Sequence, residues 1–376
     1  MTDMTNLPAA QDLEQAVRAS CAACTARCAV AMRDDAIDEY ILKIQQADWL
    51  ARKDQHGVRL PLQFDSVDDE LNILATIALL NFLSGYRSTL HRLTSRGAYS
   101  TILSLVLSAY LSSPDNGDAP LSAQWMRDVT FAQIADLARI RTHREEDHPT
   151  LGRAVKVGVK DEEAFEVLQL LVGVLNETGR ILQEAGVKSL GVWLRETLER
   201  AEGNGYQVVR ELALSFPAFR DIHEIDGEPV YLLKKAFWLV TNVALRYKEE
   251  HTSFTPPSTA GFPIFADNVV PTMLLHHGIL SLADSTDPHL RALSSSDSTT
   301  LPVLPRDSAT RLRAAAITAS ARLVQRAHEL SKSTASDKAW LGEWTEPELD
   351  AWIWNEAKGP GLREVARIAE KGTVYY

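Results

Sequence analysis

Apolar side chains recur every three or four residues along most of the chain, which is the spacing of an amphipathic α-helix. The clearest stretch runs from Leu71 to Phe82 and follows Ser66 and Asp69, a pair typical of a helix N-terminus. The same reasoning predicts further helices over residues 13–33, 37–49, 97–112, 131–140, 161–175, 192–201, 207–215, 233–247, 309–331 and 345–357.

A short β element interrupts the helices. Asp226-Gly227 is a two-residue turn signal between residues 221–225 and 230–232, which have strand character, so we expect a small β-hairpin. Pro229 would confine the second strand to a sheet edge. No internal repeat is visible, and the pattern predicts an all-α fold, a mainly helical single domain with one small β-hairpin.

Polar stretches that lack helical spacing predict the loops. His143 and His148 lie in one of them, a charged connector over residues 141–150, and we expect both to be solvated rather than bound to a metal. The other predicted loops are a polar stretch with Gly57 and Pro61, residues 113–117, and a mobile Ser/Thr/Pro-rich segment over residues 294–306.

The charge balance limits the kinds of partner. The formal net charge is −11, which disfavours a long phosphate backbone because nucleic-acid binding normally requires a basic surface. A small nucleotide is compatible with this charge, since one Arg or Lys can hold one phosphate. We therefore expect a small-molecule ligand and no direct nucleic-acid partner.

All three cysteines, Cys21, Cys24 and Cys28, share one face of the first predicted helix. Their spacing is compatible with a metal or cluster, but no fourth Cys or His stands at a suitable distance, so packing of small side chains is favoured. An odd, local set of cysteines predicts no disulfide framework and a reducing compartment. Without a signal segment or a bilayer-length apolar run, we expect a cytoplasmic protein, with the nucleus as a second compartment, and no membrane contact.

Several common catalytic motifs are absent from the sequence. We find no GxGxxG, P-loop, nucleophile elbow or HExxH. The neighbouring His276 and His277 would diverge on a helix and could not share a metal. We therefore expect neither a metal nor a cofactor.

Residues 261–271 contain the strongest candidate for chemistry. Their single carboxylate, Asp267, follows apolar residues such as Phe265 and precedes a helix that we expect to begin at Pro271 and end at Gly278. The positive end of that helix would help to keep Asp267 ionised in aromatic surroundings, where it could stabilise a developing positive charge. A buried Asp that caps its own turn is the more common alternative, and both interpretations stay open.

The helix predicted at 233–247 adds a polar candidate. On the helix at 233–247, Lys234 shares a face with Trp238, whereas Lys235 lies on the face of Arg246, so we expect Lys234 to point inward. An inward lysine usually meets a carboxylate or a phosphate, and a surface lysine is the alternative.

The last predicted helix begins with a strong signal. Thr345 and Glu348 form a capping box, with Pro347 near the front of the helix. Asp350 and Trp354 lie one turn apart on the same side of this helix.

Seven short segments, taken together, carry a resemblance to a known family. They are Leu80-Asn81-Phe82, Asn176-Glu177-Thr178-Gly179, the run from Ser215 to Asp221, Lys234-Lys235-Ala236, the run from Phe265 to Pro271, the Trp-rich helix after Thr345, and Tyr375-Tyr376. In this order they resemble the queuosine salvage proteins, queuosine 5′-monophosphate N-glycosylases that release the base queuine. The resemblance implies a helical domain similar to DNA glycosylases over residues 61–376, with residues 1–60 as an N-terminal helical extension packed on it.

The resemblance also implies roles for individual residues. Asp267 would be the catalytic carboxylate and Lys234 its charged neighbour. The residues implied to bind the base are Phe265, Asp350, Trp354 and Asn355.

The last helix departs from the family pattern, which often reads Asp-Tyr-x-x-Trp-Asp. Here Ala351 replaces the aromatic residue and Asn355 replaces the second Asp. Asn can still accept a hydrogen bond, but it lacks the charge that would favour a cationic substituent on the base.

Three interpretations follow. The first is hydrolysis of the N-glycosidic bond of free queuosine 5′-monophosphate, with water as the nucleophile and the protein as a monomer. The second is a non-catalytic helical nucleotide-binding or interaction protein with a decayed pocket, which Ala351 and Asn355 favour. The third, a DNA or RNA glycosylase, requires a basic stripe that the sequence does not show. The cation for the 5′-phosphate stays open among Arg87, Lys160, Arg180 and Arg220.

Overall fold

In a computed structural model of the chain, helices form most of the regular structure, which confirms the predicted mainly helical class. The structure describes residues 7–53, 57–58, 60, 62–112, 119–294, 303–333 and 336–376. Pro61, the predicted loop at 113–117 and residues 295–302 of the predicted loop at 294–306 lie outside these residues.

The chain forms two compact units. Unit 1 comprises Met1–Gln63, Thr197–Glu370 and Tyr375–Tyr376, and unit 2 comprises Phe64–Glu196 and Lys371–Val374. The division predicted from the sequence, an extension over residues 1–60 and a domain over 61–376, stays a prediction.

The first helix of unit 1, α1 (Ala10–Arg27), ends earlier than the predicted residue 33. Ala29 adopts a left-handed backbone with φ of 51°, which breaks the helix without the glycine that would have marked the break in the sequence. Strand β1 (Ala31–Met32) follows and pairs antiparallel with Leu280–Ser281. The three cysteines are free and buried, which is the packing role expected for them.

The second predicted helix is two helices, α2 (Asp34–Lys43) and α3 (Gln46–Arg52). The backbone is extended at Ile44 between them, with ψ of 129°. The change of direction lets Trp49 bury its ring and stack on Trp344 with ring centroids 3.9 Å apart. A long-range aromatic contact of this kind leaves no local sequence signal.

Unit 2 is helical with one exposed hairpin. The predicted N-caps are present: Ser66 accepts a hydrogen bond from Asp69 N, and Asp161 accepts one from Ala164 N. Its elements are α4 (Val67–Leu80), α5 (Arg87–Thr94), α6 (Ala98–Leu111), α7 (Ala123–Asp128), α8 (Phe131–Ala138), β2 (His143–His148), β3 (Gly152–Lys160), α9 (Glu162–Glu184) and α10 (Leu190–Ala201).

The prediction of a loop over residues 141–150 is wrong. This segment contains strand β2, which pairs antiparallel with β3. Five of the six side chains of β2 are exposed, four are charged and none is apolar, so the apolar alternation that reveals a strand is missing.

Helix α9 also differs from its prediction, because it continues to Glu184 instead of ending near residue 175. Gly179 lies within α9, where α7 packs closely on it. A Cβ atom at Gly179 would lie 2.2 Å from Arg127 N. This glycine therefore serves a close helix–helix approach rather than a helix end.

The remaining elements belong to unit 1, and the boundary between the units falls within α10. They are α11 (Gly205–Ser215), β4 (Ile222–Ile225), β5 (Glu228–Tyr231), α12 (Lys234–Tyr247), α13 (Val269–His276), β6 (Leu280–Ser281), α14 (Pro288–Ser294), α15 (Arg306–Ser333) and α16 (Glu346–Glu356), with short 3₁₀ helices at Pro217–Phe219 and Ser336–Glu343.

The predicted hairpin is confirmed as β4 and β5, which pair antiparallel. Asp226 and Gly227 both have positive φ, 56° and 79°, as a type I′ turn requires. The predicted capping box of α16 is confirmed as well, since Thr345 and Glu348 each accept a backbone hydrogen bond from the other.

No single helix of the described residues is long and apolar enough to cross a membrane. Helix α4 and the segment Leu83–Thr94 reach that length and composition only together, across a bend of 64°.

Candidate active site

The loop that leads into α13 is held by two carboxylates of α16. Glu346 accepts a hydrogen bond from Ile264 N at 3.1 Å, and Asp350 accepts one from Phe265 N at 3.2 Å. Glu346 and Asp350 lie one turn apart, so they reach two successive backbone groups of the loop. The capping box at the start of α16 therefore places two acidic side chains against this loop.

Helix α1 supports the same loop from another side. Arg18 forms an ion pair with Glu346 at 2.6 Å and donates a hydrogen bond to Gly261 O at 3.0 Å. Gly261 has a left-handed φ of 74°, and a Cβ atom there would lie 2.5 Å from a carboxylate oxygen of Glu14. The N-terminal residues therefore hold the loop in place, and the left-handed backbone at Gly261 favours glycine there.

Asp267 lies at the end of this loop with 1% of its surface exposed. Its Oδ1 accepts hydrogen bonds from Val269 N at 2.7 Å and Val270 N at 3.3 Å. The prediction that Pro271 opens the helix is wrong: α13 begins at Val269, because Asp267 satisfies the first free N–H groups. Asp267 therefore caps its own turn and also presents a buried carboxylate at a helix N-terminus.

Two opposing effects set the pKa of Asp267. Burial raises it, whereas the charge of Lys234 and the N–H groups of Val269 and Val270 lower it, and the balance leaves the pKa above its usual value. The helix N-terminus favours the carboxylate, as expected from the sequence, but does not cancel the cost of burial.

Lys234 is the first residue of α12 and is buried, as predicted. Burial lowers its pKa, and the charge of Asp267 opposes that change more strongly than does the charge of Asp350; the result is a pKa of about 8. The ammonium form therefore prevails at neutral pH, held by the carboxylates around it.

The placement of Lys235 corrects the sequence analysis, which put it on an outward face. Lys235 is fully buried, with its Nζ 5.5 Å from the centre of the Phe219 ring. Burial and the neighbouring Lys234 charge hold its pKa well below the usual value. The reason is that α12 is covered on all sides from Lys234 to Val243, so neither face reaches solvent.

The pKa of Asp350 is raised more strongly than that of Asp267. Burial and then the charge of Asp267 raise the pKa of Asp350 well above its usual range, and the N–H of Phe265 donates a hydrogen bond to it. Two buried carboxylates that repel one another cannot both ionise readily. We assign the negative charge to Asp267, which accepts two N–H groups, and the proton to Asp350.

Sequence reasoning missed a buried ion pair beside these residues. Arg313 donates from Nη1 and Nη2 to the two oxygens of Asp221, at 3.1 and 2.6 Å, and from Nε to Ala266 O at 2.8 Å. His223 Nε2 lies 3.0 Å from Asp221, and the Tyr376 ring lies 4.0 Å from the guanidinium carbon of Arg313. This pair fixes the residue directly before Asp267.

The sequence carried a signal for this pair. Arg313 stands within the alanine-rich run at residues 309–319, where an arginine on a small-residue helix face indicates a buried charge with a partner. Asp221 and Tyr376 both lie in segments that carry the family resemblance. The order of these residues along the chain gave no means to connect them.

The remaining candidates lie apart from this hydrogen-bonded group or contribute backbone atoms. The side chain of Phe265 is buried, with 1% exposed. Trp354 is partly exposed, with Lys358 Nζ 5.9 Å from its ring centre. Asn355 donates to Ala351 O at 2.8 Å and accepts from Lys358 Nζ at 3.4 Å, so its amide bonds within its own helix. The base-binding roles of Phe265, Trp354 and Asn355 stay predictions.

Three of the cations considered for the 5′-phosphate have protein partners. Arg220 donates to the carbonyls of Ala213 and Leu214 at the end of α11. Within unit 2, Arg180 pairs with Glu184, and Lys160 pairs with Glu162.

Comparison with known proteins identifies the family of the chain. A family model described as "Queuosine salvage protein" matches residues 132–376, about two thirds of the chain, and these residues include Asp221, Lys234, Asp267, Arg313 and Asp350. A comparison with curated protein sequences gave no match. The chain belongs to the queuosine salvage protein family and has a role in queuosine salvage.

Proposed function

We propose that this protein hydrolyses the N-glycosidic bond of queuosine 5′-monophosphate and releases queuine. The observation that carries the proposal is the buried Asp267 carboxylate, held at a helix N-terminus with the buried cation Lys234 acting on it. Family membership supports the substrate class, and this geometry supports the reaction.

The reaction needs a negative charge in a dry setting. Breaking a bond between ribose and a base places positive charge on the sugar ring, in an oxocarbenium-like state related to that of glycosidases. A preorganised carboxylate beside the anomeric carbon stabilises that state and can also deprotonate the attacking water. In this proposal Asp267 has both tasks.

The leaving base needs a proton from another group. Queuine is a 7-deazaguanine, so a carbon replaces the nitrogen that many purine glycosidases protonate. A neutral carboxylic acid can donate a hydrogen bond where a carboxylate only accepts. Because its pKa is raised, Asp350 is the group we assign to donate a hydrogen bond to the departing base, which specifies the base-binding role implied by the family resemblance.

Lys234 completes the charge balance of the proposed site. Its ammonium group favours the ionised form of Asp267 and can hydrogen-bond the ribose hydroxyls. With Asp350 neutral, one cation and one anion remain. A substrate that develops positive charge on its sugar therefore gains stabilisation mainly from Asp267.

The direct test is incubation of the full chain with queuosine 5′-monophosphate in water enriched in oxygen-18. We expect free queuine and ribose 5-phosphate, with the heavy oxygen on the sugar, measured by mass spectrometry. Binding of the nucleotide without release of queuine would contradict the proposal and favour a non-catalytic binding protein.

Asp267→Asn tests the residue that carries the proposal. We expect kcat/KM to fall about 100- to 1,000-fold, since one preorganised electrostatic group is lost. Asp284→Asn makes the same chemical change at an exposed position and should leave the rate unchanged. An Asp267→Asn protein that folds normally and still releases queuine near the wild-type rate would refute the assignment.

A further inference from the structure

A cleft in unit 2 differs in charge from the rest of the chain. It has a volume of about 900 Å³ and lies between the C-terminal end of α5, the end of α8 and the β2–β3 hairpin. Its described lining includes two carboxylates, Glu145 and Asp161, against six cations, an excess of four positive charges. The cations are Arg92, Arg96, Arg139, Arg141, Arg144 and Lys156.

The sequence does not reveal this concentration of charge. The cations come from three separate segments, around Arg92, around Arg141 and at Lys156, each interrupted by acidic or neutral residues. They lie together only because the hairpin and two helix ends meet. Three carboxylates outside the lining, Glu146, Asp147 and Glu163, pair with Arg144, Lys156 and Arg92. The cations of the cleft without an acidic partner among the described residues are therefore Arg96, Arg139 and Arg141.

Two of these cations, Arg139 and Arg141, have neither an ion pair nor a side-chain hydrogen bond within the described part of the chain. Arg96 donates a hydrogen bond to the neutral Ser104 hydroxyl, and Lys156 pairs with Asp147. Arg92 is paired with Asp161 at 2.5 Å, and Arg144 with Glu146 at 2.7 Å. Arg139 and Arg141 are both exposed at the cleft. Their guanidinium groups are available to a ligand.

The backbone of Arg139 makes this residue a useful position for a test. Arg139 ends α8 in the left-handed conformation with φ of 54°, a position where helices usually place glycine. An arginine there is strained relative to glycine. Glycine at this position would remove the cation and relieve the strain.

The kind of ligand follows from the lining. Among the described residues of the cleft, no Phe, Tyr or Trp is available for stacking on a nucleobase, which single-stranded nucleic-acid sites normally provide. Guanidinium groups match phosphate oxygens in pairs. We propose that this cleft binds a small anion that carries two or three linked phosphate groups.

The proposal is independent of the chemistry assigned to Asp267. The test is a calorimetric titration of the full chain with inorganic tripolyphosphate at low salt, with orthophosphate and sulfate as reference anions. We expect one saturable site that binds tripolyphosphate about tenfold or more tightly than either reference, because several guanidinium contacts act together. Absence of a saturable site, or equal affinity for sulfate, would overturn the proposal.

Two variants locate the site. Arg139→Gly removes the cation and also relieves the left-handed strain, so we expect about tenfold weaker tripolyphosphate binding without a lower melting temperature. Arg141→Ala should weaken binding to a similar degree. Retained wild-type affinity in both would overturn the proposal.

Arg153→Ala is the matched control. Arg153 lies on the same hairpin with its side chain 96% exposed, and it does not line the cleft. Its loss changes the net charge by the same amount as the loss of Arg139 or Arg141. We expect an effect below about twofold, because screening limits its reach. If Arg153→Ala lost as much tripolyphosphate affinity as the cleft variants, the binding would depend on the general charge of the protein, and the proposal would be overturned.

A single-stranded RNA of about 20 nucleotides distinguishes the main competing ligand. We expect it to bind more weakly than tripolyphosphate. If RNA binds more tightly, and Arg139→Gly and Arg141→Ala abolish that binding, the small-anion proposal is wrong and the cleft is a nucleic-acid surface.

Discussion

Two buried aspartates in unit 1 respond to burial in opposite ways. Burial alone would raise the pKa of each. At Asp221 the charge of Arg313, together with hydrogen bonds from His223 and Arg313, outweighs burial and lowers the pKa. At Asp267 the charge of Lys234 and two backbone N–H groups fall short, and the pKa is raised.

The difference separates a structural charge from a reactive one. Asp221 has a bidentate guanidinium on both oxygens, so a ligand would add little to it. Asp267 faces a lysine whose own pKa is lowered to about 8, so both partners are incompletely stabilised in the protein alone. A positively charged transition state would supply what Asp267 lacks, which is the pattern expected at functional sites.

The largest expected effect on stability comes from breaking the ion pair of Asp221 and Arg313. Asp221→Asn leaves Arg313 charged and buried, so we expect the free energy of unfolding to fall by about 3–5 kcal/mol. Asp267→Asn should change it by less than about 1 kcal/mol, because burial already disfavours the ionised form. Urea unfolding of the two variants beside the wild type measures both.

These two variants make the same chemical change, so each serves as the control for the other. If Asp267→Asn proved the more destabilising substitution, Asp267 would be a structural cap, and the contrast between the two aspartates would be wrong.

The second prediction concerns pH. The pKa of Lys234 lies below that of an ordinary lysine, at about 8, so its ammonium is present below that pH and is lost as the pH rises through it. If this charge assists Asp267, kcat/KM should fall about tenfold per pH unit above the pKa. The measurement is the rate of queuine release across neutral and alkaline pH.

Lys234→Arg identifies the group responsible, because arginine stays protonated throughout this range. We expect the alkaline decrease to disappear in whatever activity the variant retains. An unchanged alkaline limb in Lys234→Arg would assign the decrease to the amine of the substrate or to another residue.

The sequence predicted those parts of the site that depend on neighbouring residues. The capping box of α16, the hairpin turn at Asp226-Gly227 and the position of Asp267 before a helix are all local patterns, and the structure contains each of them. The inward direction of Lys234 followed from helical periodicity.

Other features depend on contacts between distant segments. Lys235 was placed on an outward face because periodicity assumes one solvated side, whereas α12 is covered all round. The pairing of Arg313 with Asp221 joins α15 to the residue before β4, and no spacing in the sequence connects them. Strand β2 carries charges on both faces and therefore resembles a loop.

The smallest expected effect tests whether the ion pair of Arg313 and Asp221 influences the position of Asp267. The Tyr376 ring lies 4.0 Å from the guanidinium carbon of Arg313, and its hydroxyl donates to Glu370 at 2.9 Å. Tyr376→Phe should cost about 1 kcal/mol of unfolding free energy through the lost hydrogen bond. Tyr376→Leu should cost about 0.5–2 kcal/mol more, because the ring no longer stabilises the guanidinium.

The rate of queuine release in the two Tyr376 variants tests whether Arg313 positions Asp267. Arg313 holds Ala266 directly before Asp267, so an Arg313 that shifts without the ring would misplace the carboxylate. We expect kcat/KM to be nearly unchanged in Tyr376→Phe and several-fold lower in Tyr376→Leu. If both variants lose stability with an unchanged rate, Arg313 stabilises the fold but does not position Asp267. Asp221 and Asp267 then act independently.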